Sequence, residues 1–300
     1  MALIHDIDPI ALAIGPIKVH WYGLMYLGGA VAAFLLGRRR AAQAWRGYQP
    51  SEIEDIIFYG MVGVIVGGRL GSTFFYHFNE FLADPLMIVR IWEGGMSFHG
   101  GLLGVLVAYA WYARKTGRAV FHLYDFIAPL VPIGLGLGRL GNFIGGELWG
   151  HKTDLPWGVI FPNAVPGGPY SAAQLQQMLA QGQLDGMARH PSQLYQAFWE
   201  GVLLFGILWW FSARPRARMA TSGLFLIIYG VGRILIEFVR EPDAHIGYLA
   251  WGWLTMGQLL SLPMVIGGLG LMWWSRRVAD RAGMGGEKGK GEMEKGSAGA

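Results

Sequence analysis

The stretch 223-GLFLIIYGVGRILIEF-238 is an apolar run that contains two charged residues, Arg233 and Glu237. Its length approaches the roughly 20 residues with which an α-helix crosses the hydrocarbon core of a bilayer. An arginine near the middle of such a helix costs about 2.5–3.5 kcal/mol on insertion scales, so its presence needs a reason. Tyr229, Arg233 and Glu237 are spaced four residues apart and share one helix face. The stretch predicts a membrane helix whose polar face holds either an internal ion pair or a functional site.

The composition of the whole chain also indicates a membrane protein. Of its 300 residues 53% are hydrophobic and only 15% are charged, whereas a soluble domain has about 25% charged residues. Such hydrophobicity excludes a disordered protein. The net charge of +4 fits anionic lipid better than nucleic acid, which we do not expect as a partner. The chain has no Cys, hence no disulfide and no cysteine nucleophile of its own.

Apolar runs along the chain predict an all-α polytopic membrane protein with seven transmembrane helices. Residues 1–282 are interpreted as a single transmembrane domain, without a cleaved signal peptide at the start. Residues 283–300, rich in Gly, Lys and Glu, are interpreted as a disordered tail. The seven runs lie at about residues 19–37, 55–78, 96–113, 123–143, 194–211, 223–238 and 256–274.

Basic residues predict the orientation of these helices. With seven spans, four clusters that hold 16 of the 24 Lys and Arg residues fall on the same side of the membrane. Because basic loops remain in the cytoplasm, we expect the N-terminus outside and the C-terminus inside. The clusters are Arg38, Arg39, Arg40 and Arg46; Arg114, Lys115 and Arg118; Arg214, Arg216 and Arg218; and Arg276, Arg277, Arg281, Lys288, Lys290 and Lys295.

The longest external stretch, at about residues 150–190, is predicted to form a small cap. Ser171 followed three residues later by Gln174 has the pattern of a capping box at the start of a short amphipathic helix. A plain loop is the alternative, although a loop of this length without secondary structure is uncommon.

Polar residues converge on the outer half of the predicted helices. Arg139 lies near the outer end of the fourth run, and His99 lies near the start of the third, which runs inward. Arg233 is about 15 Å along the sixth run, at or beyond the midplane, and Glu147 follows the fourth run on the outside. Arginines gathered in one leaflet favour an anion, because guanidinium groups match phosphate oxygens. A phospholipid headgroup and a soluble anion both fit.

Two polar positions, Arg69 and His99, have a structural interpretation as well as a functional one. Arg69 lies in the second run with nothing in the sequence to pair it. His99 could be a hydrogen-bonded packing residue, but the following Gly100 and Gly101 allow a ligand or another backbone to come close.

Several blocks of the chain resemble the phosphatidylglycerol–prolipoprotein diacylglyceryl transferase family, which lipidates bacterial lipoprotein precursors. The most specific block is 138-GRLGNFIGGELWG-150. The resemblance extends from about residue 15 to about residue 272, and seven spans with an outside N-terminus are also typical of that family. The other blocks are 20-HWYG-23, 97-SFHGG-101, 190-HPSQLY-195 and 232-GR-233 with Glu237 and Arg240.

The resemblance implies a reaction and a location. The thiol of a lipobox cysteine in the precursor's signal peptide attacks the glyceryl carbon of phosphatidylglycerol, a thioether forms, and glycerol-1-phosphate leaves. No metal or organic cofactor is implied. The nucleophile belongs to the substrate, which fits a chain without Cys. The expected location is the bacterial cytoplasmic (inner) membrane, in contact with membrane lipid.

The resemblance also implies candidate site residues. A thiol attacks as its thiolate, and His99 is the candidate base by residue type. Arg139 and Arg233 are the other candidate catalytic residues, as phosphate binders that stabilise the leaving group; Arg233 could instead stabilise the thiolate. Glu147 and Glu237 would orient arginines or bind glycerol hydroxyls. The predicted substrate-binding residues are Tyr22, Asn142, Glu147, Gly150, Tyr229 and Glu237.

The chain departs from the family pattern at two positions. The family usually has Asn where this chain has Gly145, and often has Glu where it has Gln196. Loss of the Asn predicts a weaker polar contact near Glu147. Neither departure removes a charge of the candidate set, so an active enzyme is still expected.

Two other functions compete with a transferase. A transporter would need polar residues across both leaflets, whereas the inner halves of the predicted spans carry little charge apart from Asp125. A scaffold for lipoprotein precursors would not require the histidine and the arginines.

Overall fold

The structure is a computed structural model that describes residues 3–168, 170–242 and 247–281, so the predicted tail at 283–300 lies outside the described residues. The described chain is mostly helical. A π-helical segment, Ala197–Leu203, joins α8 to α9 without a break. The α-helices are α1 (Trp21–Ala41), α2 (Glu52–Tyr76), α3 (Phe78–Ala83), α4 (Phe98–Lys115), α5 (Val120–Ile127), α6 (Val131–Ile144), α7 (Ala172–Ala180), α8 (Ser192–Gln196), α9 (Leu204–Phe211), α10 (Ala220–Glu237) and α11 (Met256–Arg281).

The helices identify a polytopic membrane protein. Among the described residues, four helices are long and apolar enough to cross a bilayer: α2, the continuous helix Ser192–Phe211, α10, and α11 as far as Arg277. The neighbouring α5 and α6, separated by a short break, together allow a fifth crossing. The helices α1 and α4 have 21 and 18 residues, but their glycine, aromatic and basic residues lower their mean hydropathy. Seven spans therefore remain a prediction.

Short strands correct the prediction of an all-α chain. Strand β1 (Leu3–Ile4) pairs in parallel with β4 (Val159–Ile160), and β2 (Ile10–Ile14) pairs antiparallel with β3 (Ile17–His20). Residues 17–20, which overlap the start of the predicted first span, read IKVH and alternate apolar with polar side chains. That period of two is the pattern of a strand, so the helix begins only at Trp21.

The chain forms two compact units, residues 33–127 and residues 1–32 with 128–300. In the first of these, glycines bring α2 and α4 together. Gly63, Gly67 and Gly71 of α2 face Gly100 and Gly104 of α4. A Cβ on Gly71 would lie 2.7 Å from the Cα of Gly100, so a side chain there would force the helices apart. Small residues at a spacing of four are typical of closely packed membrane helices.

Arg69 has a structural role in the same unit. Its side chain is buried, and its guanidinium donates hydrogen bonds to five backbone carbonyl oxygens of the segment at residues 87–95. These bonds hold the 3₁₀ turns that follow α3 against α2, which favours the structural interpretation of this arginine. The accepting residues are Met87, Ile88, Arg90, Gly94 and Gly95.

The predicted cap is a folded segment of the other unit, and it is not a plain loop. Ile160, Leu175 and Leu184 are almost completely buried in a hydrophobic cluster, against which Ile4 also packs. The predicted capping box is present, because Ser171 Oγ accepts from the Gln174 backbone N–H and the Gln174 side chain accepts from the Ser171 backbone N–H. This cluster gives the segment an apolar core of its own.

We expect Gly104→Val to destabilise the protein, because its Cβ would meet the backbone of Gly63 and Gly67. Forcing extra volume into a packed contact costs about 1–3 kcal/mol. The midpoint of thermal unfolding in detergent measures the effect. Gly270→Val is the matched control, since a Cβ at that helical position meets nothing within 4 Å. Equal midpoints for the two variants would contradict the importance of the glycine contact.

Candidate active site

Arg139 on α6 is held by a carboxylate that the sequence analysis did not select. Arg139 Nε donates to Glu200 Oε2 at 2.9 Å, and Arg139 Nη2 donates to Glu200 Oε1 at 3.3 Å. The Glu200 side chain has no exposed surface. A bidentate pair of this kind fixes the plane of the guanidinium. An acidic residue inside the apolar run 194–211 was the signal that could have revealed Glu200, because charges in membrane helices are rare.

A second group of ionic contacts lies at the end of α10. Arg233 Nη1 lies 2.7 Å from Glu237 Oε2, and Arg240 Nη1 donates to Glu237 Oε1 at 3.2 Å. Glu237 is therefore shared by two guanidinium groups, and its side chain is only 2% exposed. The ion pair considered for Arg233 and Glu237 is present. Arg240 lies in one of the family blocks but was not among the predicted site residues. It supplies the second guanidinium contact to Glu237.

Tyr229 joins the two groups of contacts. It lies on α10 one turn before Arg233, with its hydroxyl against the Arg139 side chain, and Arg139 is near enough to Arg233 for the two charges to repel. Among the described residues, three arginines, Arg139, Arg233 and Arg240, contact two buried glutamates, and two guanidinium groups share the Glu237 carboxylate. Guanidinium groups held in place in this way present forked donors that match phosphate oxygens, so this cluster suits an anion.

A polar cluster surrounds the end of α6. Asn142 Nδ2 donates to Glu147 Oε1 at 2.9 Å. Tyr22, in the first turn of α1, lies beside Asn142, and its hydroxyl is 3.1 Å from that of Tyr26. Gly141 leaves room for the Tyr22 ring, because a Cβ there would be 2.8 Å from a ring carbon. Tyr22, Asn142 and Glu147, predicted as substrate-binding residues, are thus neighbours.

The loop after α6 is anchored from the start of α8. Gln193 Nε2 donates to the Glu147 carbonyl at 2.6 Å, and Ser192 Oγ donates to the Leu148 carbonyl at 3.0 Å. His5 Nε2 lies 2.7 Å from the Phe143 carbonyl. Burial lowers the pKa of His5, so its ring is neutral at pH 7 and donates to this carbonyl. The loop backbone is therefore fixed from α8, and the last turn of α6 before it is fixed from the N-terminal segment.

Gly150 has a steric reason for being glycine. Its N–H donates to the His190 carbonyl at 2.9 Å, and it forms a β-bridge with Arg240. A Cβ on Gly150 would lie 2.7 Å from the Cβ of His190. These contacts explain the residue by backbone packing; its predicted substrate-binding role stays a prediction.

The cap is tied to this loop by one carboxylate. Glu241 Oε2 accepts from Trp149 Nε1 at 2.9 Å and also from Arg189. Arg189 Nη1 donates in addition to the Gly150 carbonyl at 3.2 Å. Arg189 is at the end of the cap, so the cap and the loop share their polar contacts.

His99 belongs to the unit of residues 33–127. It lies in the first turn of α4 with its side chain exposed, and Ser97 caps this turn by accepting from the Gly100 N–H at 3.2 Å. The ring of His99 contacts that of Phe98, with centroids 5.6 Å apart. Its role as a base stays a prediction.

The two departures from the family pattern fall in structured positions. Gln196 is 1% exposed and lies one turn before Glu200, which supplies a carboxylate to Arg139. Gly145 directly follows α6, and the polar contact to Glu147 comes from Asn142 instead.

The helices define a polytopic membrane protein, and its buried charges form an arginine–glutamate cluster. A family model described as prolipoprotein diacylglyceryl transferase matches residues 9–274. The phosphatidylglycerol–prolipoprotein diacylglyceryl transferase of Xanthomonas oryzae pv. oryzae (strain PXO99A) is 57% identical over 279 residues, which cover 93% of this chain and 94% of that protein. The protein of the same name from Xanthomonas campestris pv. campestris (strain B100) is 56% identical with the same coverage. The chain belongs to the prolipoprotein diacylglyceryl transferase family.

We expect Gly150→Ala to lower the thermal midpoint by displacing the loop from His190, with overpacking at about 1–3 kcal/mol. Gly138→Ala is the matched control within the same sequence block, because a Cβ at Gly138 meets nothing within 4 Å. Thermal unfolding of both variants in detergent tests this explanation, which fails if Gly150→Ala is as stable as the control.

Proposed function

We propose that the protein transfers the diacylglyceryl group from phosphatidylglycerol to the lipobox cysteine of prolipoproteins, with formation of a thioether and release of glycerol-1-phosphate. Family membership supports this reaction, as do relatives named for it at 56–57% identity. The observation that carries the proposal is the buried cluster in which three arginines meet two glutamates. Its forked guanidinium donors complement the phosphate of an anionic lipid.

In the proposed mechanism the arginines act on the leaving group. Arg139 and Arg233 bind the lipid phosphate and stabilise the charge that gathers on it as the bond between the glyceryl carbon and the phosphate oxygen breaks. Their forked donors match phosphate oxygens. Tyr229 and Glu237 hold these guanidinium groups, and Tyr22, Asn142 and Glu147 form hydrogen bonds to the headgroup.

The precursor supplies the nucleophile. A free thiol has a pKa of about 8.5, so it must be deprotonated before it attacks. His99 takes this proton, the thiolate forms the new bond to the glyceryl carbon, and the electron pair of the broken bond leaves on glycerol-1-phosphate. Arg233 is the alternative, since its charge would stabilise the thiolate directly.

Both substrates reach the site laterally from the bilayer in this proposal. The lipid and the signal peptide each have apolar parts in the membrane, and removing these costs about 0.8 kcal/mol for every CH₂ exposed to water. A site in the outer half of the membrane, entered between helices, avoids that cost.

The proposed orientation has seven spans, with the N-terminus and the cap outside and the C-terminus in the cytoplasm. Since the chain has no Cys, a single introduced cysteine is its only thiol. We expect Gln177→Cys, on α7 of the cap, to react with a membrane-impermeant maleimide in intact spheroplasts. Arg214→Cys, between α9 and α10, should react only after permeabilisation. The reverse pattern of labelling would overturn this orientation.

Arg139→Lys and Arg233→Lys test the phosphate-binding role. Each keeps the charge but loses the planar fork, and we expect activity to fall by about 100-fold or more, as on removal of other preorganised donors. The assay measures glycerol-1-phosphate released from phosphatidylglycerol in the presence of a lipobox peptide. Arg118→Lys is the control, because Arg118 pairs with Glu52 in the other unit. Normal turnover of both test variants would refute the role.

A further inference from the structure

Glu200 holds one particular edge of the Arg139 guanidinium. A guanidinium carries five N–H donors in a rigid plane. Glu200 accepts from Nε and Nη2, which occupies the side edge of the group. The end edge, with Nη1 and the second N–H of Nη2, is not used by this carboxylate. We infer that Glu200 is a positioning residue that aims the end edge of Arg139 at the lipid phosphate; this inference rests on the proposed function.

The burial of the pair shows that Glu200 acts through Arg139. The Glu200 side chain has no exposed surface, whereas 20% of the Arg139 side chain is exposed. Of the two side chains, only Arg139 therefore keeps a surface that substrate could contact. Glu200 is a positioning residue and not a catalytic one.

The residues on either side of Glu200 fix its carboxylate. Trp199 Nε1 donates to the Ile228 carbonyl on α10 at 3.0 Å, and its ring lies against Gly232. Gly201 faces Gly136 on α6, where a Cβ would lie 2.7 Å from the opposing Cα. Glu200 is thus held between two helices. Its neighbour Gly201 meets α6 at Gly136, three residues before Arg139. The π-helical turn that contains it is a feature often found at functional sites.

The charge of Glu200 matters because Arg139 has a like-charged neighbour. Arg233 and Arg139 repel each other, and Glu200 offsets this repulsion on the Arg139 side. Without the carboxylate the guanidinium would be free to turn away from Arg233. A phosphate in the transition state would then lose a preorganised donor, while lipid could still be attracted by the remaining charge.

The test combines Glu200→Gln with Arg139→Lys. In the wild-type background, we expect Glu200→Gln to lower kcat by about 10-fold to 100-fold while KM for phosphatidylglycerol stays within about threefold, the pattern of an interaction made in the transition state. In the Arg139→Lys background the same change should lower kcat by less than about threefold, because lysine has no planar guanidinium group for Glu200 to orient. Non-additivity of this kind identifies residues that act together.

Glu52→Gln is the matched control. Glu52 forms a bidentate pair with Arg118, at 2.6 Å and 2.9 Å, and this pair is outside the proposed machinery. We expect Glu52→Gln to lower the thermal midpoint but to leave kcat and KM unchanged for the folded protein. Rates are normalised to the monodisperse fraction, so that loss of folded protein is not counted as loss of kcat.

Each outcome bears on one of the two proposals. If the wild-type protein forms no thioether, the proposed function fails. If the wild-type protein is active and Glu200→Gln has normal kcat, or loses equally in both backgrounds, only the positioning role fails. Should Glu200→Gln not fold, Glu200→Asp replaces it: this variant keeps the charge but draws the carboxylate back by one methylene, and a normal kcat would again overturn the inference.

Discussion

The pairing of buried charges is the constraint on which the candidate site depends. Arginine is tolerated in an apolar helix only when its charge finds a partner. Here Glu200 pairs with Arg139. Glu237 pairs with both Arg233 and Arg240. Partners on different helices must come close, and glycines make that approach possible. Gly136 and Gly201 meet near the first pair, and Gly257 leaves room for the Glu237 carboxylate. Glycine at these positions therefore permits the ion pairs to form as well as the helices to pack closely.

Arginines that are already held in position give the cluster its chemical capacity. Their forked donors match the oxygens of a phosphate. Such donors are in place before the charge of a leaving group develops, so the protein does not have to reorganise them during a reaction. The contacts that make buried arginines tolerable in these helices therefore also suit them to an anion.

The sequence predicted those parts of the structure that depend on local spacing. The shared face of Tyr229, Arg233 and Glu237 follows from helical periodicity alone, and the capping box at Ser171 follows from a pattern four residues long. Glu200 was missed because its partner is 61 residues away, and only the contact between helices brings them together. The end of strand β3 was included in the predicted first run, which starts at about residue 19. The carbonyl partners of Arg69 carry no side-chain signal. His99 and the number of spans remain predictions.

The π-helical segment at Ala197–Leu203 restricts how this part of the chain can vary during evolution. An α-helix advances by about 100° for each residue, and the wider π turns shift the phase between the two ends of the helix. The deletion of a single residue here would restore a regular α-helix of nearly the same length and hydropathy. It would also rotate Gln193 and Glu200 relative to each other about the helix axis. Gln193 could then no longer hold the loop after α6 while Glu200 holds Arg139. A hydropathy profile would register almost no change, although the deletion would separate two halves of the same site.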